Sequence, residues 1–420
     1  MGSFEKTAGS FLFGKGGRAS AGRATFLLLF LNVVTSAAVS IYIPCMKQMA
    51  VDLNTTEAVI QMTIVAHLIG EFIGRILCGP LICVYGCRTV ALPSLTLSAL
   101  GHLGCMASES SAMFMAMRFI QAMGAGVIYV VSQSVINEKF DEKEKSGVIG
   151  IIELYQPIAW ILSPFAGSIL SEISNWRVSF PLLALFQAIG IVFFRFCLTE
   201  EKEKSSKTCQ VLHLFRNYGR VLKNSSFLIY ALIPGLFAGG YMMFATSSPF
   251  ICSRFFGENS ADIALFSAVP LLFYVITTFA YRRIVNSFGV GVSRRTGIVM
   301  YGIFGVYLMY LIMHQTPWTP GILLTLMCLQ CSGSAFLVPV SVLRALQATD
   351  PDSASVGAST VVVFRNIIMS LCIAVSAKFS GSITTIMACV FMTTATVILL
   401  IMTRKIIRSR SNRKGRKQAV

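Results

Sequence analysis

Long apolar runs separated by short polar punctuation dominate the chain. Runs of about 20 residues, enough to cross a hydrocarbon core of roughly 30 Å, are predicted near 24–46, 58–84, 89–108, 112–137, 147–171 and 177–199. After a polar stretch, six more follow near 225–252, 261–287, 295–314, 319–347, 353–376 and 379–403. The pattern therefore predicts an all-α membrane protein with twelve spanning helices. It divides into an N-tail (1–23), a first bundle (24–199), a linker (200–224), a second bundle (225–403) and a basic C-tail (404–420). Six spans either side of one polar connection suggest two pseudo-symmetric six-helix repeats. Val211, Leu214, Phe215 and Tyr218 in the linker's second half read as one face of a short interfacial helix.

Composition sharpens this. With 55% apolar and 13% charged residues and a mean hydropathy of +0.72, the surface must largely face lipid. The net charge of +17 invites a nucleic-acid reading, but distribution decides against one. Of the 35 Lys and Arg, 26 fall in the tails, in the linker and in the turns predicted on the same side. Only Lys47, Arg177, Arg254 and Lys378 fall in the opposite turns. That bias predicts both termini in the cytoplasm. The first apolar run is of spanning length and lacks a small-residue cleavage site, so it reads as a first helix rather than a removed leader. Of the twelve cysteines, most sit inside apolar spans and read as small hydrophobes. The Cys328/Cys331 pair has no second pair at zinc spacing. We expect no metal, no cofactor and no essential disulfide.

Ordered motifs then narrow the class. Gly79-Pro80-Leu81 with Gly86 and Arg88 lies between spans two and three. Arg118, Gln121 and Gly124 fall in span four, and Ala159, Ser163, Pro164, Gly167 and Ser168 in span five. Trp176-Arg177 with Phe180 opens span six, Ser248-Pro249-Phe250 ends span seven, and Ala354, Gly357 and Ala358 follow span ten. In this order the motifs resemble the major facilitator superfamily, and within it drug:proton antiporters of the bicyclomycin/chloramphenicol-resistance type. The resemblance implies secondary active transport of a small organic molecule by alternating access, most simply proton-coupled multidrug efflux. Its implied setting is the lipid bilayer of a bacterial inner membrane, the protein acting as a monomer with protons as partners. It also implies neither an enzyme nor a nucleic-acid binder. Two positions depart from it: Cys83 stands where the loop motif carries an Asp, and Ser40 precedes Tyr42-Ile43-Pro44 where relatives carry an acid. If protons couple transport here, another group must carry them.

Ionisable residues at membrane depth are costly and few. His67, Glu71 and Arg75 recur every four residues and share a helix face, with Gly70, Gly74 and Gly79 beside them for close helix contact. The face reads either as a structural Glu71–Arg75 pair with His67 as a neighbour, or as a proton-coupling stripe carried by Glu71 and His67. Because the resemblance packs span two on span eleven, it implies that Glu71 meets Arg365. Arg118 reads as a substrate or relay group, or as a structural donor to carbonyls. Asn32, Tyr42, Gln121, Tyr241 and Gln330 are further candidates for a substrate cavity, and Glu153 with Arg282 for a cytoplasmic gate. An arginine-rich interior lacking the first-span acid keeps a second reading open: a dedicated carrier of an anionic or zwitterionic metabolite, such as a siderophore, an amino-acid derivative or a carboxylate. A non-transporting membrane sensor is the third. No phosphate-binding Gly-rich loop, nucleophile elbow or metal-spaced histidine pair is present.

Overall fold

The computed structural model describes residues 17–140, 148, 155–197, 219–257, 260–349, 354–379 and 382–418. Among them every regular element is helical, as expected where lipid leaves no outside partner for backbone N–H and C=O groups. In chain order they are α1 (Gly17–Ser40), α2 (Met46–Asp52), α3 (Glu57–Tyr85), α4 (Cys87–Met106), α5 (Ser111–Lys139), α6 (Tyr155–Ile173) and α7 (Ser179–Cys197). There follow α8 (Ser225–Ile251), α9 (Ser260–Met313), α10 (Pro320–Gln347), α11 (Ala354–Ala377) and α12 (Ile383–Gln418). The chain divides into two compact units, Met1–Cys209 and Gln210–Val420. Among the described residues ten helices are long and apolar enough to cross a membrane. Most of the linker, with its expected interfacial helix, lies outside the described residues, as does the start of the fifth predicted span.

Polar side chains set the helix starts. Thr56 accepts from the Val59 N–H, Ser110 from Met113, Asn224 from Ser226 and Phe227, and Thr319 from Ile322. Each satisfies amide donors that the first helical turn leaves open. Glycines set two sharp corners. Gly86 (φ 82°, ψ 159°) separates α3 from α4, and Gly289 (φ 82°, ψ 168°) interrupts α9. Such a backbone is strained for any residue with a Cβ. The turn expected over residues 288–294 is thus contracted to one glycine between two helical stretches. Among the described residues each unit thus shows such a corner.

The first span also differs from its prediction. Instead of one helix over 24–46, α1 ends at Ser40, a turn covers Ile41–Tyr42, and a 3-10 turn follows over Ile43–Cys45 with Pro44 near its start. Proline lacks the N–H a continuing helix needs. A neighbour closes on the break: Gly167 of α6 lies so near the Ile41 carbonyl that no Cβ fits between them.

In the first unit α3 packs on α5, α4 on α5 and α7, and α1 on α6 and α7. In the second, α9 packs on α10, and α8 on α11, α12 and α10. Lipid supplies little hydrophobic drive between helices, so close backbone approach through small residues does much of the packing. Cβ atoms at Gly70 and Gly74 of α3 would run into the Phe119 and Met123 carbonyls of α5, and one at Gly126 of α5 into the Glu71 carbonyl. Gly79 is the exception to the expected small-residue stripe, since a Cβ there meets nothing within 4 Å.

A polar staple closes one end of this unit. The Trp176 indole donates to Asp52 Oδ2 at 2.8 Å, and Arg177 Nη1 lies 3.7 Å from the same oxygen. The Arg177 Nη2 donates to the Ser108 carbonyl at 3.1 Å, and its guanidinium stacks 4.3 Å from the Trp176 ring. Three connections, at α2, α4–α5 and α6–α7, are thereby tied together.

Two stability outcomes follow. Gly74→Leu and Gly126→Leu are expected to lower thermal stability in detergent by about 1–3 kcal/mol, while Gly79→Leu leaves it nearly unchanged. Equal losses at all three sites would contradict close α3–α5 packing. Trp176→Phe keeps the ring but removes its donor, and should cost about 1 kcal/mol. Combined with Asp52→Ala it should cost little more than either change alone; full additivity would show that the two do not act as one staple.

Candidate functional site

The strongest concentration of polar chemistry lies inside the first unit. Arg118, on α5, is 0% exposed. Its Nη1 donates to Gln121 Oε1 at 2.7 Å, one helical turn along. The same amide oxygen is 3.3 Å from His67 Nδ1 on α3. The guanidinium lies 4.7 Å from the centre of the Tyr42 ring, a cation–π contact strengthened by the absence of water. Tyr42 sits in the break after α1, and its hydroxyl shares a 2.9 Å hydrogen bond with Thr63 on α3. Because α1 is not helical there, Tyr42 reaches across to both neighbours. Phe114, Trp176 and Phe180 pack edge-on to one another, with Phe114 and Phe180 also against the Tyr42 ring.

Further along α3, Arg75 pairs with Glu71 and its guanidinium stands 4.9 Å over the Tyr129 ring of α5. Glu71 is the more open of the pair, with 19% side-chain exposure against 9% for Arg75. Thr63, His67, Glu71 and Arg75 thus form a ladder at every fourth residue of α3. The opposing rungs are Tyr42 from the α1 break and Gln121 and Tyr129 from α5. The three residues share the expected face: Glu71 pairs with Arg75, and His67 meets Gln121 of the arginine network. Thr63 extends the stripe one turn beyond the sequence reading, and its fourfold spacing from His67 is the signal that marks it. His102 of α4, 0% exposed, adds a second buried imidazole at the Phe180 ring.

Other expected residues take identifiable places. Asn32 on α1 donates to Ser132 Oγ on α5 and to the Leu28 carbonyl, both at 2.7 Å, which makes it a buried helix tie. Ser40, standing where relatives carry an acid, shares a 2.6 Å hydroxyl bond with Ser163 of α6. Pro164 and Gly167 follow within the same helix, and Gly167 cradles the α1 break. Arg88, after the Gly86 corner, donates to the Arg195 carbonyl at 3.0 Å near the end of α7, where unpaired carbonyls concentrate partial negative charge. In the second unit the Tyr241 hydroxyl donates to the Ser267 carbonyl at 2.7 Å, and Gln330 is buried beside Cys331 and Ser334. Tyr301 and Ser334 share a 2.6 Å bond. Arg365 lies on α11 of this unit, with Gly235 of α8 packed on its backbone; its expected partner Glu71 belongs to the other unit. Arg282 is exposed on α9, and Glu153 lies outside the described residues.

Comparison with known proteins agrees with this architecture. A family model described as Major Facilitator Superfamily matches residues 28–373. The MFS-type transporter YdgK of Bacillus subtilis is 25% identical over 262 residues, 61% of this chain and 65% of that protein. Multidrug resistance protein MdtL of Shigella flexneri is 25% identical over 254 residues, 60% of this chain and 64% of that one. The match thus spans somewhat less than two thirds of these relatives. Among solved structures, a peptide transporter POT aligns with TM-score 0.71 at 12% identity, covering 92% of this chain and 94% of that one. A D-xylose-proton symporter aligns with TM-score 0.69 at 13% identity, covering 90% and 96%. With its membrane-length helices and a family match over most of its length, this multi-pass integral membrane protein belongs to the Major Facilitator Superfamily.

Proposed function

We propose that this chain is a secondary transporter, not an enzyme, that moves a small organic molecule across a bacterial cytoplasmic membrane by alternating access and couples that movement to protons. Twelve spans fit the observed helices when α9 is counted as two across Gly289 and α6 is included. The basic tails favour cytoplasmic termini. Outward movement of amphiphilic compounds is the direction favoured by likeness to a multidrug resistance protein.

The observation that carries this reading is the α3–α5 ladder. An apolar helix bundle has no structural need for a row of ionisable groups, which are expensive in a membrane and concentrate along transport pathways. The ladder contains one carboxylate, that of Glu71, and it is the more open member of its pair. Protonating Glu71 removes the charge that holds Arg75, while the Tyr129 ring still stands over the guanidinium. One rung from Glu71, His67 joins the Arg118–Gln121 pair through an amide oxygen. A proton taken at Glu71 therefore changes the charge balance of the face on which Arg118 sits. Protonation becomes coupled to binding without the first-span acid, whose position Ser40 occupies in a neutral bond to Ser163.

Proteoliposomes with an imposed pH gradient provide the test. Glu71→Gln is expected to abolish gradient-driven movement of a transported dye while exchange between internal and external dye pools continues. His67→Gln, which retains a hydrogen-bonding group, should lower the rate and shift its pH dependence. Unaltered gradient-driven transport and pH dependence in Glu71→Gln would remove Glu71 as the coupling group.

A further inference from the structure

Arg118 poses a problem that hydrogen bonding inside the protein leaves unsolved. Its guanidinium is fully buried, and among the described residues no carboxylate pairs with it. The groups around it are the Tyr42 hydroxyl from the α1 break, the His67 imidazole from α3, and the His102 imidazole and Cys105 thiol from α4. None of these is a carboxylate. A lone cation in such surroundings is unfavourable until an anion joins it.

The geometry says what kind of anion. The Nη1 is occupied by Gln121 Oε1 and one face is covered by the Tyr42 ring. The atoms without a partner are Nε and Nη2. These two N–H groups lie on one edge of the planar guanidinium, pointing the same way, and match the two oxygens of a single carboxylate. Gln121 Nε2 is likewise buried without a partner, on the amide already bound to Arg118, and supplies one more donor. A ligand on the edge does not displace Tyr42, which occupies the face. The non-helical Ile41–Tyr42 stretch borders the guanidinium, so this wall is the part of α1 least held by helical hydrogen bonds.

We propose that Arg118 is a carboxylate-binding site. The transported molecule docks a carboxylate side-on to Nε and Nη2, with the Gln121 amide donating to the same group. This rests on the transport reading and deepens it: the cargo is an organic acid or a zwitterion rather than a cation, which Arg118 repels. A neutral amide offers the edge only one acceptor and binds less well.

The experiment uses the full chain in lipid nanodiscs, with thermal unfolding followed by tryptophan fluorescence. The probes are benzoate and phenylacetate, each beside its amide and its amine. The carboxylates are expected to raise the unfolding midpoint, and the amides and amines to leave it in place. Arg118→Lys keeps the charge but loses the forked edge, and should weaken the apparent carboxylate affinity about tenfold. Gln121→Glu places an internal carboxylate beside Arg118. It should raise the midpoint without ligand and abolish the response to both probes, which keeps the test valid if Arg118 variants fail to fold. The proposal is overturned if amides stabilise as well as acids, if neither acid stabilises, or if Gln121→Glu still responds to them. Gradient-driven dye transport without any carboxylate response would sink this site and leave the transport reading intact. Carboxylate binding without gradient-driven transport would do the reverse.

Discussion

A guanidinium held inside an apolar helix bundle is the constraint around which the first unit is arranged. Arg118 must be surrounded by electron-rich groups that are not themselves charged, and the fold assembles them from three directions. Tyr42 offers its ring face, Gln121 its amide oxygen, and His67 shares that oxygen from the opposite helix. Each of these in turn requires a backbone feature. Tyr42 is in reach because α1 ends at Ser40, just before it, and Gly167 closes on the break. His67 is in reach because Gly70 and Gly74 let α3 lie directly on the α5 backbone. The glycines are therefore part of the polar chemistry, since a wider interhelical gap would leave each rung too far from its partner.

The two units share a backbone plan but not a charge plan. Both turn a sharp corner at a glycine with nearly the same dihedral angles, Gly86 in one and Gly289 in the other. The buried network around Gln330 in the second unit is built from neutral groups, Tyr301, Ser334 and Cys331. The first unit instead carries Arg118 and the Glu71–Arg75 pair along one helix contact. Buried ionisable side chains thus line the contact between α3 and α5.

Much of this was legible in the sequence because membrane proteins announce their elements loudly. Twenty apolar residues in a row have few alternatives, and an ionisable residue inside such a run draws notice. Arg118, Gln121 and the fourfold spacing of His67, Glu71 and Arg75 were visible for that reason. Thr63 was not, because a threonine in a span is ordinary until a tyrosine hydroxyl is found 2.9 Å away. The break at Tyr42 and the contraction of a turn to Gly289 were hidden as well, since hydropathy averages over a single residue's dihedral angles. The staple of Asp52, Trp176 and Arg177 joins positions more than 120 apart in the chain, and no local pattern reports such a contact. The gate expected from Glu153 and Arg282 is not visible in either direction, since Arg282 is exposed on α9 and Glu153 lies outside the described residues.

The central claim is that the buried edge of Arg118 is kept for the charge of the transported molecule. A density map of the full chain in lipid, with a carboxylate-bearing transported compound bound, addresses it most directly. The account predicts the ligand's two carboxylate oxygens within hydrogen-bond distance of Arg118 Nε and Nη2, with Tyr42 still stacked on the guanidinium face. A bound ligand remote from Arg118, with a carboxylate of the protein itself filling that edge, would contradict it.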